Sequence, residues 1–120
     1  MTGVRDLLEH IRECVDAIDG YTAGLKHPLD VPVIRDAVLR NLQLAAQSAL
    51  RLPPDMQAKH PEVSWRSLRG FRNVLVHDYL QLDVNDVQRA LTESLPILRA
   101  AALTELAALP PEDSHEATGK

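Results

Sequence analysis

The chain has 120 residues, one cysteine and a formal net charge of -4; 45% of its residues are hydrophobic but only 3% are aromatic. This length predicts one domain with one core, and the Ala- and Leu-rich apolar content favours helices over strands. The acidic balance argues against a protein that coats nucleic acid, which needs a basic surface, but it leaves room for a local basic site. A single cysteine excludes an intrachain disulfide.

Nothing in the sequence predicts export or membrane insertion. No segment combines the charged start and apolar run of a signal peptide, and none reaches the length of a membrane span. We therefore expect a soluble, cytoplasmic protein without membrane contact.

Helical periodicity appears first over residues 2–25, where apolar residues recur at three- and four-residue spacing up to an exit at Gly24. A second helix is predicted over 31–52, with Asp30 as its N-cap. The prolines and polar residues of 53–63 predict a loop after it.

A third and shortest helix is predicted from Ser64, its N-cap, and a fourth from position 83 or 85 to about 109. Pro96 should kink the fourth helix, because its ring removes one backbone hydrogen bond and clashes with the preceding turn. Residues 110–120 lack apolar anchors and are predicted to be disordered. Residues 1–109 then form one all-α domain, an up-and-down antiparallel four-helix bundle.

The densest chemistry lies at the end of the third helix, in the run Arg-Gly-Phe-Arg-Asn-Val-Leu-Val-His-Asp-Tyr at 69–79. Four Lys or Arg and two acidic residues between positions 59 and 79 give a local net charge of +2. On an unbroken helix Arg72 and His77 would point about 140° apart. Either the helix ends near Val76, or a second copy of the chain completes the site.

Arg72, Asn73, His77 and Tyr79 together resemble the signature of the HEPN superfamily, specifically of its HepT-like branch of small toxin ribonucleases. That signature is an arginine, a polar residue, and then a histidine with a tyrosine two positions later. The resemblance extends over about residues 4–98 and includes Ile-Asp-Gly-Tyr-Thr at 18–22, Asp-Ala-Val-Leu-Arg-Asn-Leu at 36–42 and Trp-Arg-Ser-Leu-Arg-Gly at 65–70. One residue departs from it: Gln47 stands where family members often have an acidic residue.

The residues and the resemblance point to the same reaction, a metal-independent cleavage of RNA. Imidazole titrates near neutral pH, so His77 suits general acid–base catalysis, and the guanidinium of Arg72 suits a charged phosphorane. Asn73 would orient His77 or touch the phosphate, while Arg66 and Arg69 would guide the RNA backbone. No metal site and no cofactor are predicted, and the expected product is a 2′,3′-cyclic phosphate or its hydrolysed form.

The resemblance also implies partners. The chain would be the toxin of a type VII toxin–antitoxin system, neutralised when a cognate minimal nucleotidyltransferase adds AMP to Tyr79. We also expect a homodimer, because two facing copies would supply a wider cationic cleft than one, and twofold packing is the commonest oligomer.

Other interpretations remain open at this point. The chain could be a non-catalytic HEPN partner that holds nucleotide or substrate for a nucleotidyltransferase, or a plain helical dimerisation adaptor. His77 could cap or pack a helix end, Arg72 could pair with Asp78, and Tyr79 could pack against the fourth helix. His10 and Cys14, four residues apart, could be half of a metal site, although core packing is the better interpretation of Cys14.

Overall fold

The computed structural model describes residues 3–77 and 81–111, and every regular element in those ranges is helical. The α-helices of these ranges are α1 (Val4–Thr22), α2 (Pro32–Leu50), α3 (Pro54–Ala58), α4 (Trp65–His77), α5 (Val84–Arg89) and α6 (Leu95–Ala108). A 3₁₀ turn, Pro28–Asp30, precedes α2, and a π-helical turn, Ala90–Ser94, joins α5 to α6. The prediction of an all-α fold is confirmed.

Some predictions concern residues outside the described ranges. These are the start of the first helix at Thr2, the roles given to Asp78 and Tyr79, and the disorder of the tail from residue 112 onward.

One apolar core joins the helices into a bundle. α1 packs against α2 and α6, and α2 also packs against α4. The largest side chains with almost no exposure all come from the predicted apolar stripes: Leu8, Ile11, Ile18, Val38, Leu42, Val87, Leu95 and Leu98. Burying one such side chain contributes about 1.5–3 kcal/mol, so these stripes dominate the packing. The first helix was predicted to extend to residue 25, but α1 ends at Thr22 and Leu25 is 44% exposed.

Three predicted helix ends are confirmed. The backbone N–H of Ser67 donates to the Ser64 hydroxyl at 3.3 Å, and that of Asn85 donates to the Asp83 carboxylate at 2.8 Å. Both contacts satisfy N–H groups that have no partner within their own helix. Gly24 follows α1 with a φ of 77°, a left-handed conformation that glycine adopts at little cost.

The prediction that Asp30 caps the second helix is wrong. Asp30 is the last residue of the 3₁₀ turn, and Val31 occupies the N-cap position with φ -95° and ψ 112°. The cause is Pro32, because the residue before a proline is pushed out of the helical region into extended conformations. The helix therefore cannot begin before Pro32 itself, which is favoured at a first helical position.

The segment 53–63, predicted as a loop, contains the short helix α3. Pro54 starts it, and Asp55 lies in its first turn, where a negative charge is favourable. The side-chain amide of Gln57 donates to the Leu52 carbonyl at 3.0 Å. This contact satisfies a carbonyl just after the end of α2, where carbonyls lack helical partners, so α3 helps to end α2.

Pro96 was predicted to kink the fourth helix, and the structure has a π-helical turn, Ala90–Ser94, just before it. In the π turn before it, the N–H of Leu95 donates to the carbonyl of Ala90, five residues back. In a regular α-helix the Pro96 ring would crowd the carbonyl of Thr92, and a single wide turn relieves such crowding.

Among the described helices, none has a stretch of apolar residues long enough to cross a membrane.

Candidate functional site

The C-terminal end of α4 carries the predicted catalytic pair. Arg72 and His77 are both exposed, and His77 is the last residue of the helix. Because α4 is unbroken from Trp65, helix geometry separates the two residues by about 7.5 Å along the axis and about 140° around it. Within one chain, therefore, α4 does not direct the two side chains to the same point.

The buried residue Leu75 shows which way each member of the pair faces. Arg72 lies three residues before Leu75, which places it about 60° away on the flank of the helix. His77 lies two residues after Leu75, about 160° away by the shorter arc, on the outer face. The arginine thus borders the rest of the bundle, while the imidazole faces outward.

Asn73 contacts the arginine. The Arg72 guanidinium donates to the Asn73 side-chain oxygen at 3.2 Å. Asn73 was predicted to orient His77 or to touch phosphate, and this hydrogen bond gives it a part in orienting Arg72.

Arg66 and Arg69 are exposed on the same helix. Arg66 precedes His77 by 11 residues, which is close to three full turns and places both on the outer face. Arg69 lies about 80° from His77 and about 60° from Arg72, so it stands between their two directions. A band of guanidinium groups therefore connects the outer face to the flank.

Arg72 also lines a cleft of ≈ 560 Å³ where α1, α2 and α4 meet, called the α1–α2–α4 cleft below. Its lining residues are Asp6, Leu7, His10, Gln47, Ser48, Leu50, Arg51 and Arg72. Two guanidinium groups, one imidazole, one hydroxyl and one amide face a single carboxylate in this cleft. His77 is not among the lining residues.

Sequence reasoning missed the partner of His10. Its Nδ1 lies 2.8 Å from the hydroxyl oxygen of Ser48, a largely buried residue 38 positions away. The suggested pairing of His10 with Cys14 does not describe this site. Cys14 is a buried core residue, and burial, with a smaller contribution from Glu13, raises the pKa of its thiol above 9.0.

Gln47, the departure from the family pattern, lines the same cleft as Arg72. A carboxylate at this position would partly neutralise the arginines. The neutral amide leaves their charge available to an anion and offers both a donor and an acceptor.

A second cleft, of ≈ 380 Å³, lies on another side of α4, against residues 81–94. Phe71 and Val74 contribute apolar wall from α4. Asp83 and Asp86 also line this cleft, and both are exposed: Asp83 caps α5, and Asp86 pairs with Arg89 at 3.0 Å.

The N-terminal end of α4 is fixed by a buried polar cluster that the sequence did not reveal. His60 Nδ1 lies 2.8 Å from Glu62, and His60 Nε2 lies 2.6 Å from Glu105 on α6. His60 and Glu105 are 9% and 7% exposed, so both are buried. Lys59 lies 3.4 Å from the second oxygen of Glu105, and the Trp65 indole N–H donates to the His60 carbonyl at 3.1 Å.

The charges of this cluster support one another. Burial lowers the pKa of His60, but its hydrogen bonds to Glu62 and Glu105 outweigh burial and raise that pKa above 6.5. The hydrogen bond from His60 lowers the pKa of each carboxyl below 4.5, and Lys59 adds to the effect at Glu105. When His60 is protonated, both ring nitrogens donate to carboxylates, and the cluster is then a set of ion pairs that joins the start of α4 to α6.

Metal ligands do not cluster in the described part of the chain. No group of three or more His, Cys, Asp or Glu side chains there is arranged to hold a metal ion.

Comparison with known proteins gives a consistent family. The sequence model of the family described as Ribonuclease HepT-like matches residues 3–104. A protein of Thermococcus cleftensis named "Probable ribonuclease HepT" is 29% identical over 97 residues, covering 79% of this chain and 88% of that protein. A "Putative RNase" of Caldanaerobacter subterraneus is 26% identical over 98 residues, covering 78% of this chain and 86% of that protein. Another "Putative RNase", from Methanocaldococcus jannaschii, is 24% identical over 98 residues, covering 80% of this chain and 81% of that protein. No solved structure matches the chain at the same level of significance.

Proposed function

The chain belongs to the Ribonuclease HepT-like family, and on this basis we propose that it is the ribonuclease toxin of a type VII toxin–antitoxin system. The observation that carries the proposal is the exposure of Arg72 and His77 on the last two turns of α4, within the matched residues. An exposed arginine and imidazole on a rigid helix are accessible to a polymeric substrate such as RNA.

RNA supplies its own nucleophile, so the protein needs only to move a proton and to steady charge. His77 removes the proton of a ribose 2′-hydroxyl, and the 2′-oxygen attacks the adjacent phosphorus. The bond from phosphorus to the 5′-oxygen of the next nucleotide breaks, and that oxygen takes a proton from solvent water and leaves as a 5′-hydroxyl, while His77 returns its proton to solvent. The products are a 2′,3′-cyclic phosphate and a 5′-hydroxyl end.

Arg72 stabilises the phosphorane, because its guanidinium stays charged and can donate two parallel hydrogen bonds to phosphate oxygens. The hydrogen bond from Arg72 to Asn73 restricts the guanidinium before substrate arrives. Arg66 and Arg69 guide the RNA backbone along α4. No step in this scheme requires a metal ion.

A homodimer would solve the geometric problem of α4. Since one helix directs Arg72 and His77 about 140° apart, a twofold arrangement can place Arg72 of one copy near His77 of the other. Exposed apolar side chains that could contribute to such a contact include Val76, at 46% exposure, and Leu103, at 36%. Light scattering at micromolar concentration should report twice the chain mass of 13.3 kDa; a single-chain mass would refute this part of the proposal.

The test of the activity compares purified wild type with His77→Ala and with His27→Ala, a matched change of another exposed histidine. We expect wild type and His27→Ala to cleave RNA in the presence of a chelator and to arrest bacterial growth, and His77→Ala to do neither. Equal cleavage by His77→Ala, or loss of wild-type cleavage on chelation, would show that the mechanism is wrong.

We propose further that a cognate minimal nucleotidyltransferase silences the toxin by adding AMP to Tyr79. The phenol oxygen would attack the α-phosphorus of ATP, and pyrophosphate would leave. Tyr79 follows His77 by two residues, so the added phosphate would compete with RNA for Arg69 and Arg72 while the nucleoside blocked access.

Intact-mass spectrometry after incubation with the nucleotidyltransferase, ATP and magnesium tests this modification. Wild type should gain one or more AMP units and lose toxicity, and Tyr79→Phe should gain none. An equal mass increase in Tyr79→Phe would show that another residue is modified. No mass increase with an active nucleotidyltransferase would contradict the modification and favour an antitoxin that acts by binding alone.

One observation favours the second candidate, a non-catalytic HEPN partner that holds nucleotide for a nucleotidyltransferase. Gln47 replaces an often acidic residue in the cleft that Arg72 lines. If that residue takes part in cleavage, its loss would leave a binding protein. Under this alternative the wild type binds nucleotide in the presence of its partner and cleaves no RNA.

A further inference from the structure

The α1–α2–α4 cleft is lined by polar and charged groups that have no part in the proposed reaction. Besides Arg72 it is lined by Arg51, from the C-terminal end of α2, and by the His10–Ser48 pair. We propose that this cleft binds one nucleotide of the single-stranded RNA substrate next to the cut, with its phosphate on Arg51, Arg72 and His10. The inference rests on the proposed function, because Arg72 serves both the cleft and the reaction.

Charge and size both favour a nucleotide. Arg51 and Arg72 present two guanidinium groups against the single carboxylate of Asp6, and guanidinium groups bind phosphate through paired hydrogen bonds. The volume of ≈ 560 Å³ lies within the range of small-molecule sites. Leu7 and Leu50 provide apolar wall against which a base can pack, and the Gln47 amide can both donate to and accept from a base edge.

The hydrogen bond between His10 and Ser48 prepares the imidazole for this task. The Ser48 hydroxyl lies 2.8 Å from His10 Nδ1 and is anchored on a buried stretch of α2. If the hydroxyl donates to Nδ1, the ring carries its proton on Nε2, which becomes a donor for a phosphate oxygen. When the ring is protonated, Nε2 is also a donor and the hydroxyl accepts from Nδ1.

Binding is measured separately from cleavage, by fluorescence anisotropy with a short fluorescein-labelled 2′-O-methyl oligoribonucleotide, which lacks the attacking hydroxyl. Arg51→Gln should weaken binding about tenfold, the loss expected for a charge-assisted hydrogen bond. The slope of log affinity on log salt should fall by about 0.7, the value for one phosphate contact on a single strand. Arg40→Gln, an exposed arginine on the same helix outside the cleft, is the matched control and should match wild type.

Asp6→Asn tests the proposal through a gain in affinity for the oligonucleotide, a result that misfolding of the variant would not produce. Removing the one carboxylate of the cleft should tighten oligonucleotide binding by about threefold to tenfold, since a single exposed charge contributes about 1 kcal/mol at short range.

Nuclear magnetic resonance of the wild type needs no variant. The ring resonances of His10 should shift on titration with the oligonucleotide, whereas those of His27 should not. Inorganic phosphate at the same concentration should have little effect. Equal binding by Arg51→Gln and Arg40→Gln with unmoved His10 resonances would overturn the proposal, as would phosphate alone saturating the site with the affinity of the oligonucleotide.

Failure of this proposal and failure of the proposed function look different. If the wild type cleaves RNA but Arg51→Gln binds and cleaves as well as wild type, the cleft is not a subsite and the ribonuclease stands. If the oligonucleotide occupies the cleft but no RNA is cleaved, the binding site stands and the ribonuclease does not.

Discussion

The two ends of α4 place a histidine in opposite settings. Before the helix starts, His60 is 9% exposed and held between Glu62 and Glu105 at 2.8 and 2.6 Å. At its last residue, His77 is exposed on the outer face. An imidazole ring in the sequence therefore does not by itself indicate whether the histidine is structural or functional. Both ring nitrogens of His60 contact carboxylates of the protein itself. The ring of His77 faces solvent, where a substrate can reach it.

Contacts at the start and on the inner face of α4 explain how its exposed end can hold Arg72 and His77 in defined positions. The cluster around His60 joins the start of α4 to α6, and Leu68 and Leu75 bury the inner face of α4 in the core. Arg72 and His77 therefore project from a helix whose start and inner face are held by these contacts, and regular elements position functional groups better than loops do.

The largest effect should come from His77→Gln, which removes the proposed general base without disturbing the core. RNA cleavage should fall by about 10²–10⁴-fold, the usual cost of losing an acid–base group, while the melting temperature stays at the wild-type value. The measurements are initial cleavage rates and thermal unfolding by circular dichroism. A loss of both activity and stability would mean that His77 is a structural residue like His60.

The same substitution at the other end should have the opposite pattern. His60→Gln replaces the charge-assisted hydrogen bond from the imidazole to the buried Glu105 by a neutral one at best, and a hydrogen bond to a charged group contributes about 1.5–3 kcal/mol. The free energy of unfolding should fall by that amount, while the cleavage rate per folded molecule is retained. Denaturant titration provides the measurement, and His27→Gln, at an exposed position, is the control. An unchanged unfolding midpoint would show that the cluster contributes no net stability.

Sequence reasoning succeeded where the signal is local. The apolar stripes, the cap at Ser64, the start of the fourth helix near Asp83 and the exit at Gly24 are confirmed because each depends on residues within a few positions of one another. It failed for partners that only the fold brings together. Glu105 lies 45 positions from His60, and no local pattern indicates that the two meet.

The candidate site also has one part that is local in sequence and one part that only the fold brings together. The Arg72–His77 signature is continuous in sequence, so the helix that carries both residues could be predicted. The cleft beside Arg72 could not, because Ser48 lies 38 positions from His10 and becomes its partner only when α1 packs on α2. A histidine on the edge of an amphipathic stripe was the one available signal, and it is a weak one.

A smaller effect is expected in the pH dependence of folding stability, to which the His60 cluster at the start of α4 should contribute. The pKa of His60 is raised above 6.5 in the folded state, so its contribution is fully present below 6.5 and is lost as pH rises through the folded value. The carboxyl pKa values of Glu62 and Glu105 are lowered below 4.5, so their contribution is present above 4.5 and is lost as pH falls through the folded values. The cluster is strongest between these limits.

Melting temperatures across the pH range measure this dependence. The difference between wild type and His60→Gln should be largest between pH 4.5 and 6.5 and should shrink on the alkaline side. His77→Gln should follow the wild-type profile throughout. A constant difference between wild type and His60→Gln would contradict the raised pKa of His60.

The smallest expected effect concerns the middle of α4, between the two ends. Gly70 is helical, and a Cβ built on it meets no atom within 4 Å; the same holds for Gly20 in α1. Alanine at either position should stabilise the fold by about 0.5–1 kcal/mol, because glycine loses more backbone freedom on entering a helix. If α4 is already rigid, Gly70→Ala should match Gly20→Ala in both unfolding free energy and cleavage rate. A cleavage rate that falls in Gly70→Ala alone would show that catalysis requires α4 to bend at Gly70, and the rigid connection between its two ends would then be wrong.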